Sequence, residues 1–309
     1  MKLINGDCLE ALKNIEDKSV NLILIDPPYN IKKAKWDSWK TTEAYVEFMG
    51  KVFKELERVL KDNGSFYFFH NDFLQVVELQ SYINKHTNFK FKNLLIWNKR
   101  YEGSPRKFYF DNVIKGNANR SYRQLTEYAL FYTLQEEVLG GYDDFENLKK
   151  YFKYEKIKIE KELSINIKDC LKWTTHFHWF AQGLSWGLPT AERYKELQQK
   201  FNGYFQKPYE ELKEEYETER YTFNNLKEHH DVLTFEVAKQ NGHITPKPVD
   251  LLEYIIRTSS NEGDIVLDCF MGSGSCGVAA VNTNRKFIGI ELDKNYYEIA
   301  KKRIKEAKR

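Results

Sequence analysis

The apolar run Val20–Ile25 (VNLILI) ends abruptly at Asp26-Pro27-Pro28-Tyr29. Such a run predicts a strand buried in a parallel sheet. The two prolines then fix φ and remove two N–H donors, leaving a stiff backbone whose carbonyls can serve other partners. An acid, two prolines and an aromatic ring are thus expected at the carboxyl end of a central strand, where open α/β sheets place their ligands. A carboxylate and rigid carbonyls can accept hydrogen bonds from an amine, and the tyrosine ring can stack on a flat one. Together they point to a planar substrate bearing an exocyclic NH₂ group. Taken alone, the four residues also read as a strand-ending turn.

The surrounding pattern supports the sheet. A helix is predicted over Leu9–Ile15 and another over Glu43–Leu60, where Tyr45, Phe48, Met49, Val52, Phe53, Leu56, Val59 and Leu60 recur at helical spacing. Asn63-Gly64 ends that helix and opens a strand over Ser65–Phe69. A helix over Asp72–Asn84 and strands over Asn93–Trp97 and Leu125–Tyr132 follow. Strands separated by helices indicate βαβ units.

The α/β rhythm breaks between residues 133 and 230. Charged helical segments take over at Asn147–Glu162 and Tyr209–Arg220, and the run Glu210–Glu219 reads as a solvated face. Between them lie Trp173, His176, Phe177, His178, Trp179, Phe180 and Trp186, then a helix that Thr190 can cap, running to Phe201. The region reads as an insertion with its own small core. His176-x-His178 is too little for a metal site, and a core or base-contacting role is the favoured reading.

The pattern returns with a helix over Lys247–Arg257, a strand over Asp264–Asp268, a helix over Gly274–Val281, a strand over Lys286–Ile290 and a helix over Lys294–Lys305. Residues 265–274 (IVLDCFMGSG) are strand, tight glycine loop and helix start. Glycines there permit close backbone approach, and the helix presents free N–H groups. Gly272, Gly274 and Gly277 satisfy G-x-G-x-x-G, a weak match by itself. Glu291, at the end of the next strand, is placed to accept hydrogen bonds from ribose hydroxyls, so the unit is expected to bind an adenosine-containing cofactor. A nicotinamide dinucleotide needs a second half-domain, and the chain after Glu291 holds only one helix. S-adenosyl-L-methionine suits that economy better. The rest of the sheet must then come from the N-terminal half, bringing Asp26 to the same edge as the glycine loop.

The chain of 309 residues is 41% hydrophobic and 30% charged, enough for one large domain with an insertion. No apolar stretch of about 18 residues predicts a membrane span, and no signal peptide is evident. A cytoplasmic location is expected. The four cysteines lack paired metal spacing and read as reduced thiols, so no metal is expected. A net charge of +3 does not announce a nucleic-acid partner. Between Lys90 and Arg123, however, Lys99, Arg100, Arg106, Lys107, Lys115, Arg120 and Arg123 alternate with Tyr101, Phe108, Tyr109, Phe110 and Tyr122, against only Glu102 and Asp111. That is the composition of a surface for a nucleic-acid backbone, with a solvated basic loop as the alternative. Trp36 and Trp39, in the segment Lys32–Lys40, could close over a bound base, or simply pack.

In combination these motifs resemble the amino-group DNA methyltransferases, and within them the β-class adenine-N6 enzymes of bacterial restriction–modification systems. The anchors are Asn5-Gly6-Asp7-Cys8-Leu9, Asp26-Pro27-Pro28-Tyr29-Asn30, Ile96-Trp97-Asn98-Lys99, residues 243–248 (HITPKP) and Asp268-Cys269-Phe270-Met271-Gly272-Ser273-Gly274, in that class's order. The resemblance implies a doubly wound, mostly parallel Rossmann-like methyltransferase sheet of circularly permuted order. Residues 1–132 would form its catalytic half, 231–309 its cofactor half, and 133–230 an inserted target-recognition region. It also implies roles. Asp26 and the Pro27 carbonyl would accept hydrogen bonds from the amine of a flipped adenine, Pro28 would belong to the same catalytic motif, and Tyr29 would stack on the base. Phe270, Gly272 and Gly274 would shape the cofactor loop beside Asp268, and Glu291 would hold the ribose. Asp7 and Cys8 would lie near the cofactor's adenine, with Thr245 and Lys247 by its methionine carboxylate. Thr126-Glu127 departs from the His-Glu that relatives often carry, so the resemblance assigns that strand no role. Double-stranded DNA is the implied partner, single-stranded DNA an alternative. A cognate restriction endonuclease and a homodimer are compatible with the resemblance. Cytosine-N4 transfer, an RNA substrate on the same fold, and an idle DNA-binding subunit are the rival readings; Asp26, where cytosine-N4 enzymes more often carry serine, favours adenine.

Overall fold

The computed structural model describes residues 1–32, 35–99, 125–134, 145–171, 186–219, 222–224, 230–238 and 246–307. The chain divides into two compact units, residues 1–135 with 222–309, and residues 136–221.

The first unit is built on an eight-stranded sheet. In chain order its elements are β1 (Lys2–Asn5), α1 (Cys8–Leu12), β2 (Val20–Ile25), α2 (Thr42–Val59), β3 (Leu60–His70), α3 (Phe73–His86), β4 (Lys90–Asn98), β5 (Thr126–Thr133), and later β6 (Val232–Thr234), α8 (Val249–Ser259), β7 (Ile265–Asp268), α9 (Ser275–Asn282), β8 (Lys286–Glu291) and α10 (Lys294–Ala307). The strands lie side by side as β1-β8-β7-β2-β3-β5-β4-β6. From β1 to β3 every neighbouring pair is parallel, and only β5 runs against its neighbours. The two ends of the chain therefore share one sheet, with β7 hydrogen-bonded to β2, as the mostly parallel expectation requires.

Burial explains the winding. Successive strand side chains point to opposite faces. On one face Ile23 and Ile25 of β2 and Phe66 and Phe68 of β3 join a core with Leu12 of α1, Phe53 and Leu56 of α2, and Leu79 and Ile83 of α3. The opposite face is met by the C-terminal helices: Tyr67 of β3 hydrogen-bonds Ser259 of α8 at 2.7 Å, and the Cys276 thiol of α9 lies 3.7 Å from the Leu24 carbonyl. Helices thus cover both faces, which is why β2 and β7 carry near-continuous apolar runs.

Several boundaries move by a residue or two, and three features differ in kind. Asn63-Gly64 does not end a helix. Helix α2 stops at Val59, where Leu60 turns extended and pairs with Val20, and the register then slips so that Leu22 faces Ser65. Residues 61–64 form a bulge inside β3, not a cap before it. Strands β1 and β6 carry no apolar run to betray them, because they are short edge strands whose order comes from their partners β8 and β4.

The second unit holds helices α4 (Glu146–Leu163), α5 (Ile167–Cys170), α6 (Ala191–Lys200) and α7 (Tyr209–Glu219). Leu148, Phe152, Ile159, Trp186, Tyr194, Leu197, Phe205 and Leu212 close a separate hydrophobic cluster. Thr190 caps α6 by accepting the Arg193 N–H. Inside, the Tyr194 hydroxyl reaches the Phe205 and Lys207 carbonyls at 3.0 and 2.8 Å, so the buried polar tip does not go unpaired. His176 and His178 lie outside the described residues. Among those described, no group of three His, Cys, Asp or Glu could hold a metal ion. No described helix is long and apolar enough to cross a membrane.

Candidate active site

The carboxyl ends of β1, β8, β7, β2 and β3 open on one edge of the sheet, because these strands are all parallel. Beyond that edge lies a cavity of about 600 Å³, within the range of small-molecule sites. Its lining includes Gly6, Asp7 and Cys8 after β1, Asp26 to Tyr29 after β2, Asp268 to Ser273 after β7, Glu291 at the end of β8, Phe69 of β3, and Lys247. Residues far apart in the chain thus share one wall.

The acid of β2 is already engaged. Asp26 Oδ1 accepts the Tyr29 hydroxyl at 2.5 Å, and Oδ2 accepts Lys247 Nζ at 2.5 Å. The same ammonium lies 3.2 Å from Glu127 Oε2 and 3.1 Å from the Tyr29 oxygen. Lys99 donates to the other oxygen of Glu127. Lys247 and Glu127 are nearly sealed, at 7% and 8% side-chain exposure, whereas Asp26 keeps 27%. Burial alone pushes the Glu127 carboxyl up, but the ammonium groups of Lys247 and Lys99 override it and hold the group at about 2. Burial likewise pushes the Lys247 ammonium down, and Asp26 and Glu127 more than offset it, so it stays charged. Tyr29 is pushed well up by burial and then by Asp26, so its hydroxyl keeps its proton and donates it.

The loop carrying Asp26 is pinned from behind. Tyr45 of α2 donates to the Pro28 carbonyl at 2.8 Å and meets His70 Nε2 at 3.1 Å. His70 Nδ1 accepts the Asp72 N–H, which puts the ring proton on Nε2 and makes it the donor to Tyr45. Burial pushes His70 down to about 4, so it stays neutral at ordinary pH. One of the two proline carbonyls is therefore spoken for. Gln75 of α3 donates to the Tyr29 carbonyl at 3.0 Å. Asp37, 1% exposed, accepts the N–H groups of Tyr29, Asn30 and Ile31 at 2.6, 2.7 and 3.3 Å. Asp37→Ala should leave three N–H groups without their acceptor and lower stability by ~3 kcal/mol or more in urea unfolding. A midpoint equal to wild type would show that the loop holds itself.

The glycine loop is held by the acid of β8. Glu291 Oε2 accepts the Gly272 N–H at 2.7 Å, and Oε1 accepts the Asp293 N–H at 2.8 Å. Gly272 and Gly274 have φ of 52° and 80°, the left-handed region. Only a glycine fits at Gly274, where an added Cβ would come within 2.9 Å of the Ala300 Cα in α10. Burial pushes Asp268 up to about 8, against the Phe270 N–H it accepts at 3.0 Å. The Ser275 hydroxyl, first in α9 and 6% exposed, lines the same cavity and has no hydrogen-bond partner among the described residues. A buried unpaired hydroxyl beside a helix N-terminus is what an incoming polar ligand would satisfy.

Asp7 and Cys8 line the cavity, and Asp7 also caps α1 through the Leu9 and Glu10 N–H groups at 2.9 and 3.2 Å. Burial, then Asp7, pushes the Cys8 thiol up to about 12, so it remains protonated. Trp36, 41% exposed, and Trp39 reach the cavity, and Trp39 also packs on Tyr45 and Phe48. Tyr29, expected to offer its face to a ring, is 6% exposed and packs against His70 with centroids 4.7 Å apart and the rings tilted by 33°. Lys99, expected on a backbone-binding surface, instead turns to Glu127. Arg100, Arg106, Lys107, Arg123 and Thr245 lie outside the described residues. The sequence reading did not anticipate Asp37, Glu127 or Ser275. The signal for Ser275 was its place at the start of the helix after the glycine loop.

Comparison with known proteins places this architecture. The family model for N6_N4_Mtase DNA methylases matches residues 20–302. The type II methyltransferase M1.MboII of Moraxella bovis is 31% identical, over 96% of this chain and 93% of that protein. The DNA adenine methyltransferase YhdJ of Escherichia coli (strain K12) is 27% identical, over 98% of this chain and 82% of its own. Among solved structures, the M1.HpyAVI–SAM complex shares the fold at a TM-score of 0.53, with 21% identity and 98% of both chains covered. PvuII DNA methyltransferase (cytosine-N4-specific) shares it at 0.57, with 15% identity and coverage of 99% of this chain and 90% of that one. The chain belongs to the N6_N4_Mtase family of DNA methylases.

Proposed function

We propose that this DNA methylase transfers the methyl group of S-adenosyl-L-methionine to the N6 amine of an adenine turned out of the DNA stack. The observation that carries the reading is that Asp26, one-quarter exposed at the end of β2, opens into the same cavity as the glycine loop and Glu291. Acceptor chemistry and adenosine chemistry thus meet in one chamber.

The residues present suit the cofactor. Glu291 supplies an acceptor for ribose hydroxyls, and the positive φ at Gly272 keeps the loop clear of a Cβ. The unpaired Ser275 hydroxyl and the start of α9 suit a carboxylate. S-adenosylmethionine supplies a methyl group on a positively charged sulfur. The chain's own work is done by Asp26. An aromatic amine is a poor nucleophile because its lone pair is shared with the ring. A carboxylate accepting one of its N–H bonds favours a pyramidal nitrogen, directs the lone pair outward, and stabilises the positive charge that grows there. In duplex DNA that amine is stacked and paired, so the base must leave the helix. Trp36, exposed at the cavity, offers a face to receive it. Residues 133–230 would read the target sequence in double-stranded DNA, and a cognate endonuclease would fit the restriction–modification relatives.

Incubating the protein with methyl-labelled cofactor and genomic DNA, followed by nucleoside analysis, should place the label on N6-methyldeoxyadenosine. Label on N4-methyldeoxycytidine would overturn the choice of base while leaving the family intact.

A further inference from the structure

The resemblance put Lys247 beside the cofactor's carboxylate, yet its ammonium is committed elsewhere. It bridges Asp26 and Glu127 at 2.5 and 3.2 Å, and Glu127 continues to Lys99. Two carboxylates and two ammonium groups therefore alternate in a line, with Asp26 at the end that faces the cavity. Strand β5 runs antiparallel, which brings its first residues, and so Glu127, to the edge where the parallel strands finish.

The charges around Asp26 are lopsided without Lys247. Glu127 of β5 lies just beyond Lys247, while Asp268 of β7, pushed up to about 8 chiefly by burial and further by Asp26, keeps its proton at neutral pH. Of the other titratable groups there, His70 is neutral and Tyr29 and Tyr45 keep their protons. Lys247 is the one cation in contact with Asp26 among the described residues. Two carboxylates left together in a poorly solvated site share a proton. A protonated Asp26 could no longer serve as the charged acceptor an amine needs.

We propose that Lys247, held in place by Glu127 with Lys99 behind it, is a positioning residue that keeps Asp26 a carboxylate turned toward the target amine. This rests on reading Asp26 as the acceptor of that amine. A lysine alone beside an aspartate would be free to swing on its four-carbon stem. Glu127 removes that freedom and leaves Oδ1 and Oδ2 each with a lone pair for substrate.

The test is the pH dependence of kcat with saturating cofactor and DNA, for wild type, Lys247→Met, Lys247→Arg, Glu127→Gln and the double variant Lys247→Met/Glu127→Gln. Lys247→Met should lose roughly 100-fold at neutral pH, with the acidic limb displaced upward by about one pH unit or more, so that activity partly returns in alkali. Removing the second carboxylate as well should restore at least about tenfold over Lys247→Met, an inversion that mere loss of packing cannot produce. Lys247→Arg, which keeps the charge, should stay within about tenfold of wild type. Glu127→Gln alone, which frees Lys247 but leaves no second carboxylate, should lower kcat at every pH while moving the limb far less than Lys247→Met does. Melting curves and cofactor titration check that each variant folds; should Lys247→Met not fold, the loss of kcat in Glu127→Gln against its retention in Lys247→Arg carries the test. An unmoved limb in Lys247→Met with no gain in the double variant overturns the proposal, as does a Glu127→Gln enzyme that keeps wild-type kcat. Methylation by Asp26→Ala would instead overturn the reading of Asp26 itself, so the two failures are distinguishable.

Discussion

Asp26→Ala is expected to slow methyl transfer by ~10³-fold or more while changing affinity for S-adenosylmethionine by no more than about threefold. The separation follows from where the side chain sits. Asp26 ends β2 and faces the cavity, whereas the loop held by Glu291 ends β7, the next strand over. Truncation leaves no charge stranded, because Lys247 keeps Glu127 as a partner at 3.2 Å. The loop also survives, since Tyr45, Gln75 and Asp37 grip its backbone without touching the Asp26 side chain. Only the group that would accept the amine's hydrogen bond and answer its developing charge is lost. Single-turnover transfer of labelled methyl, set beside calorimetric cofactor binding, measures both quantities. Methylation at the wild-type rate would end the mechanism, and a matching collapse of cofactor binding would mean that Asp26 belongs to the cofactor wall.

What could be read from the residues was what local chemistry decides. Strand β2 was legible to the residue because an apolar run broken only by Asn21 stops just before two prolines that no strand interior accommodates. The glycine loop was legible because its positive φ angles demand glycine. Helices α2 and α3 were placed within two residues by spacing alone. The bulge in β3 was not, because Asn63-Gly64 spells a turn equally well whether a strand has begun or is about to begin, and only the pairing of Leu60 with Val20 decides. The same limit governs the site. Asp37 and Glu127 are ordinary acids in sequence. Asp37 matters because prolines at 27 and 28 turn the next three N–H groups toward it. Glu127 matters because its strand runs backward, a direction that no residue in it declares. For Lys247 the resemblance suggested a ligand, whereas burial between two carboxylates set its partner.

Gly272→Asp is expected to weaken S-adenosylmethionine binding by about 100-fold, with rates at saturating cofactor far less affected. Two costs add. At φ 52° a side chain pays roughly 1–2 kcal/mol in the left-handed region, although aspartate tolerates it better than most. The larger cost is charge. Glu291, which burial already pushes up, accepts the Gly272 N–H at 2.7 Å, so a carboxylate on residue 272 stands against another that is poorly solvated. Gly272→Ala separates the terms: it bears the backbone cost without the charge and should lose no more than about tenfold, since 1.4 kcal/mol is one decade in affinity. Calorimetric titration of both variants reads the difference. Equal losses would assign the effect to backbone geometry alone, and unchanged affinity in Gly272→Asp would remove the glycine loop from the cofactor site. With Asp26→Ala failing in transfer and Gly272→Asp failing in binding, the two ends of the chain would be shown to divide the reaction between acceptor and donor.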